Sequence, residues 1–219
     1  MITDLQNRII RLFDNRKGCR KLAEDSYSHM KYPKILPLMR FEVDQFVQEG
    51  YGHIMAMHTT TKMGMELLTL SFMPSTGIQM PYLLIDAMTM KKKRCVFIEY
   101  YGCGYEEFAD APLKEVYERY KDLPDYDEKE NWYIHERRPY SLIKTGEEKD
   151  LADMAEESVK AYLSMIPDSK TDPAYKEKLK AFRARMITEG NPSKKTLEML
   201  LKKDGAVKFM KEVIMPVNE

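Results

Sequence analysis

Four apolar runs between residues 52 and 101, joined by short polar connections, restrict the fold of this chain more than any other feature. They are 52–62 (GHIMAMHTTTK), 65–72 (MELLTLSF), 80–88 (MPYLLIDAM) and 95–101 (CVFIEYY). Each has the length and the apolar or alternating pattern of a strand. Met73-Pro74-Ser75-Thr76-Gly77 is a turn signal after the second run, and a basic link, 91–94 (KKKR), separates the third from the fourth. Parallel neighbours need a crossover of a dozen or more residues, so connections this short require an antiparallel meander.

The flanks are mostly helical. Thr3 with Gln6 reads as a capping box, and Leu5, Ile9, Leu12 and Phe13 then predict a helix reaching the mid-twenties. Two prolines make 31–37 (KYPKILP) an extended connection, and 41–48 fits a strand or a short helix. Asp110 with Pro112 opens a helix whose stripe is Leu113, Val116, Tyr117 and Tyr120, and Pro124 closes it. Residues 132–144 (WYIHERRPYSLIK) read as one or two strands broken at Pro139. Leu151, Met154, Val159, Tyr162 and Ile166 mark the next helix. Asp172-Pro173 starts another with Tyr175, Leu179, Phe182 and Met186 as its face and Gly190 after it. Ser193 caps a third, carrying Leu197 and Leu200, and Phe209, Met210 and Val213 belong to a last one. Helix, then sheet, then helices defines an α+β domain, and a single domain is expected over residues 1–219.

Composition narrows the function classes. Lys+Arg and Asp+Glu both number 35, so no global charge favours nucleic acid or a membrane, and any electrostatic recognition has to come from local patches. Cys19, Cys95 and Cys103 share no metal-ligand spacing, and an odd number argues against a disulfide framework. The chain opens on a charged amphipathic pattern rather than a signal peptide, and no stretch approaches the ~20 apolar residues of a membrane span. A cytoplasmic protein is expected. Seventeen methionines supply a side chain that moulds itself around bulky partners.

No P-loop, GxGxxG, HExxH or GxSxG is present, and Gly102-Cys103-Gly104 reads as a turn. The polar residues that stand out are His58, Thr69 and Asp86, each inside an otherwise apolar strand. Asp is depleted in strands and rarely buried without a partner. Tyr82, Leu84, Asp86 and Met88 share one strand face, and Ile54, Ala56 and His58 share another. If the three converged, a carboxylate and an imidazole in a largely apolar pocket would suit proton transfer to a flat organic ligand. The bland reading of each is a strand-end Asp, a satisfied core His and a good strand-forming Thr. Lys194, Lys195, Lys202, Lys203, Lys208 and Lys211 outnumber Glu198, Asp204 and Glu212 nearby, which fits either carboxylate binding or a solvated helical face.

The last thirty residues resemble the ferredoxin-dependent bilin reductases. Gly190-Asn191-Pro192-Ser193-Lys194-Lys195-Thr196-Leu197-Glu198 and then Phe209-Met210-Lys211-Glu212-Val213-Ile214-Met215 are similar to that family's closing helix pair. Residues 161–166 (AYLSMI) look like the helix before it. Leu68-Thr69-Leu70-Ser71-Phe72-Met73-Pro74 followed by Leu83-Leu84-Ile85-Asp86 matches the strand order that leads to the family's central proton-donating Asp. The strand His of the pigment-forming members falls on Thr69, the C-terminal Asp on Asn191, and the upstream Glu near Met57, next to His58.

The resemblance implies a three-layer α/β/α sandwich around a central antiparallel sheet, with an open-chain tetrapyrrole between the sheet and the C-terminal helices. It implies no metal and no bound cofactor, electrons arriving singly from reduced ferredoxin, and protons supplied by side chains through bilin radical intermediates. On this reading Asp86 is the catalytic proton donor, with His58 and Asn191 completing the catalytic set. Thr69 lines the site, and Arg138, Lys194 and Lys195 pair with propionates. The expected substrate is biliverdin or a similar linear tetrapyrrole and the expected partner is ferredoxin, with no nucleic acid, no membrane and a monomeric state. The alternatives are a non-reducing tetrapyrrole carrier and a reductase for another tetrapyrrole, such as a chlorophyll breakdown product.

Overall fold

A computed structural model describes residues 1–91, 93–104, 108–191 and 193–216. The order is α1 (Ile2–Asp14), β1 (Cys19–Lys21), β2 (His29–Tyr32), β3 (Met39–Gln48), β4 (Gly52–Thr61), β5 (Met65–Pro74), β6 (Tyr82–Met90), β7 (Lys93–Tyr101), α2 (Ala111–Tyr120), β8 (Leu142–Thr145), α3 (Glu148–Ser164), α4 (Pro173–Thr188) and α5 (Lys194–Phe209). The strands form one sheet in which β3 to β8 lie side by side in chain order, every pair antiparallel. β1 and β2 share the outer edge of β3, one against each half of it.

Alternation gives this sheet two apolar faces, and each is covered by helices. Ile54, Ala56, Leu68, Leu70, Ile85 and Ile98 point to α1, α2 and α3, where Leu5, Ile9, Leu113, Leu151 and Val159 meet them. Met55, Met57, Met73, Tyr82, Leu84 and Tyr101 point the other way, to Tyr175, Leu179 and Phe182 of α4 and Leu197 and Phe209 of α5. The architecture is the three-layer α/β/α sandwich expected. The 41–48 segment is strand, because β3 pairs with β4 along its whole length. The glycine at position 52 is needed: a Cβ there would lie 2.3 Å from Met73 O and 2.6 Å from Ser75 N, where β4 begins against the end of β5.

Three local expectations are corrected. α1 starts at Ile2 with Met1 as its cap, so Thr3 and Gln6 lie inside the helix and form no capping box. Burial of Ile2 and a 2.9 Å ion pair between the Met1 amino group and Glu148 hold the first turn against α3. The helix then stops at Asp14 instead of continuing to the mid-twenties, and the chain enters β1. Residues 132–136 form a 3₁₀ turn rather than a strand. Trp132 is drawn to the helical layer, where its Nε1 donates to Gly190 O at 3.1 Å and Arg185 stacks on its ring at 4.2 Å.

Candidate active site

Asp86 sits in the middle of β6 on the face covered by α4 and α5, paired with Thr69 of β5 on one side and Phe97 of β7 on the other. Thr69 is itself paired with Met57 of β4, so Met57, Thr69, Asp86 and Phe97 form one row across the sheet. The Thr69 hydroxyl donates to Asp86 Oδ1 at 2.5 Å. Burial raises the Asp86 carboxyl to about 7; the Thr69 hydrogen bond works against that rise and the Glu99 charge adds to it.

Above this row lies a cavity of about 280 Å³. Its floor is Asp86 with Phe41, Met57, Thr59, Leu67, Met88 and Phe97, Met39 and Met65 line it at the strand ends beside the β4–β5 turn, and Ser193, Thr196 and Leu197 at the start of α5 form part of the roof. Four methionines, two phenylalanines and two leucines give the slot its apolar surfaces, with Asp86 set among them and other charged side chains gathered on one wall, a make-up that suits a small-molecule site. Such a lining moulds to a large flat ligand without demanding hydrogen bonds along its length.

One wall is polar. Glu99, two residues from Phe97 along β7, is 1% exposed and accepts hydrogen bonds from Tyr101 Oη at 2.8 Å and Arg137 Nε at 2.7 Å. Arg137 also grips both oxygens of Glu128, at 2.5 and 2.8 Å. Burial opposes the Arg137 charge, but the Glu128 hydrogen bonds and the Glu99 charge outweigh it and keep the guanidinium protonated. Glu99 is pushed upward by burial, with Arg137 acting against the push. With Asp86 the group holds three carboxyls against one guanidinium, so the site resists a negative charge on Asp86 and favours its protonated form.

The sequence-derived candidates divide. Asp86 and Thr69 are together, as expected. His58 is not with them: it pairs with Leu68 and faces the α1–α3 side, because it is one residue out of phase with Met57. Its Nε2 lies 4.0 Å from Glu66 and makes no hydrogen bond, and burial lowers its pKa. Asn191 stands beside the roof but outside the lining. Its amide donates to Met186 O and accepts from Ser193 N, both at 3.0 Å, so both ends of the side chain shape the α4–α5 turn. Arg138 is held by Asp110 at 2.5 Å and stacks over Phe108 at 5.0 Å, away from the cavity. Lys194 donates to Thr188 O at 3.2 Å and Lys195 is exposed, because helical spacing turns both outward when Ser193, Thr196 and Leu197 turn in.

Sequence reasoning missed Glu99, Arg137, Glu128 and Tyr133. Glu99 had a signal: like Asp86 it is a carboxylate inside an apolar strand. Nothing local separates Arg137 from Arg138, and Glu128 belongs to a polar loop without pattern.

The fold defines a class of protein, a three-layer sandwich with a pocket between its antiparallel sheet and its C-terminal helices. No protein-family model and no curated protein matches the chain. Among solved structures it is similar to phytochromobilin synthase from tomato, determined in complex with biliverdin, with a TM-score of 0.78 and 13% identity over 98% of this chain and 82% of that one. The chain shares that fold. Among the described residues no helix is long and apolar enough to cross a membrane, and no group of three or more His, Cys, Asp or Glu is placed to hold a metal ion.

Proposed function

We propose that this protein is a cytoplasmic, ferredoxin-dependent reductase of a linear tetrapyrrole, biliverdin or a close analogue, and a divergent relative of the bilin reductases. The observation that carries the reading is Asp86: a carboxyl poised near neutrality at the floor of an apolar slot, in a fold whose tomato counterpart holds biliverdin. A group titrating near the working pH is the most effective proton donor there.

In this reading the tetrapyrrole lies over Phe97, Met88 and Met57 with its polar edge at Asp86. Reducing one double bond consumes two electrons and two protons. The electrons arrive one at a time from two reduced ferredoxins, and no metal or flavin is involved. Asp86 gives the first proton, and Thr69 holds the carboxylate that remains. The Glu99–Arg137–Glu128 array favours reprotonation of Asp86 and supports positive charge on the protonated pigment. The second proton comes from water.

One observation favours a non-reducing carrier instead. The positions of two family acid–base groups hold Thr69 and Asn191, and His58 faces the opposite side of the sheet. An anaerobic absorbance experiment separates the readings. Biliverdin is added first, then reduced ferredoxin with a regenerating system. A bound-pigment spectrum that converts to that of a new bilin is expected; a bound spectrum that stays unchanged would establish the carrier. Asp86→Asn is expected to bind biliverdin within about threefold of the parent and to lose at least ~100-fold in turnover. Full turnover by that variant would sink the assignment of Asp86.

A further inference from the structure

The balanced global charge conceals a local concentration. Tyr32, Met39, Thr61, Met65, Met90 and Lys93 are all strand ends, and the pairings Tyr32 with Met39, Met39 with Thr61, Met65 with Met90 and Met90 with Lys93 put them at one end of the sheet. The β2–β3, β4–β5 and β6–β7 turns therefore project from that same end. A hydrogen bond from Lys62 N to Leu38 O at 2.9 Å ties the first turn to the second. With strands ~4.8 Å apart, the three turns form a row on the order of 25 Å across.

These turns carry most of the surface aliphatics. Of the seven large hydrophobic side chains exposed among the described residues, five are here: Ile35 (84% exposed), Leu36 (76%), Leu38 (55%), Met63 (86%) and Met90 (41%). Single exposed apolar residues need no explanation, but such a cluster marks an interaction site. Around them stand Lys31, Lys34, Arg40, Lys62, Lys91 and Lys93, all exposed, and Glu66 is the sole acid in segments 31–40, 59–66 and 88–94.

We infer that this end of the sheet docks on an anionic lipid surface, with the turn tips entering the headgroup region and the lysines engaging lipid phosphates. The chemistry separates lipid from protein as the occupant. Protein interfaces are enriched in aromatics, Met and Arg and depleted in Lys; here no exposed aromatic stands at the tips and the exposed cations are five lysines to one arginine. Aliphatic tips that bury in the acyl boundary, ringed by cations drawn to anionic headgroups, form the two-part signal of interfacial binding. Met39 and Met65, which line the cavity, are at the same end of the sheet, so docking brings that end of the cavity close to the lipid.

The test is cosedimentation of the full chain with vesicles of phosphatidylcholine alone and of phosphatidylcholine mixed with phosphatidylglycerol. Binding to the mixed vesicles only, weakened by added salt, is expected. The triple variant Ile35→Ser, Leu36→Ser, Met63→Ser should lower partitioning by about tenfold or more. Lys34→Glu with Lys62→Glu should do the same. None of these residues lines the cavity, so circular dichroism and the biliverdin-bound spectrum should be unchanged, and they report that each variant is folded. Absence of binding to the mixed vesicles overturns the proposal, and so does binding that the serine variant leaves intact. If vesicles are not bound but the same variants weaken capture of ferredoxin, the surface is a protein-docking site and the proposal is likewise overturned.

Discussion

Asp86 owes its chemistry to three neighbours of different kinds. Burial disfavours its charge, the Thr69 hydroxyl favours it, and the nearby Glu99 disfavours it again. Because the hydrogen bond lowers the pKa, Thr69→Val should move Asp86 upward from about 7. A proton donor works while protonated, so on the proposed function turnover falls as pH rises through this pKa. In Thr69→Val that falling limb is expected about one unit higher, read from rate–pH profiles with biliverdin and reduced ferredoxin. An unshifted limb would mean that another group supplies the proton. Arg137 is the second sensitive residue. Its loss leaves Glu99 buried without its cation, and breaking a buried pair in this way costs ~3–5 kcal/mol. Arg137→Leu should show that loss in urea unfolding, and Arg137→Leu with Glu99→Gln should recover much of it.

At the scale of elements, period two governs what could be foreseen. The alternation in 80–88 places Tyr82, Leu84, Asp86 and Met88 on one face, and the structure agrees. The same rule, applied to residues 54–58, separates His58 from Met57, yet only pairing with β5 shows that Met57 shares the face of Asp86. Arg137 and Arg138 are a like case. They are consecutive in an extended segment, so one reaches Glu99 and the other Asp110, and the bridge between Arg137 and Tyr101 decides which. Helix starts were legible at Asp110, Asp172 and Ser193, but at the first helix the Thr3–Gln6 pattern is overridden by burial of Ile2. The β4–β5 junction makes its own prediction. Gly52→Ala would push a methyl into backbone at Met73 and Ser75, and a loss of about 2–3 kcal/mol is expected in denaturant unfolding.

At the scale of the whole molecule, the cavity lies between layers that come from distant parts of the chain, β3 to β7 below and the α4–α5 connection above. A ligand there ties the layers together and binds only the folded state. On the proposed function, biliverdin at about 100 times its Kd should therefore stabilise the fold by ~2.7 kcal/mol, visible as a rise in Tm that grows with pigment concentration. Strand periodicity and turn chemistry are local properties, so the antiparallel meander and the place of Asp86 among apolar neighbours could be read from residue order alone. Only the tertiary structure decided that Glu99, Arg137 and Glu128 close one wall of the site, that His58 lies outside it, and that three lysine-rich turns share one end of the sheet. Those facts depend on strand register and on segments meeting across tens of residues, and the cooperative packing of the two helical layers fixes both.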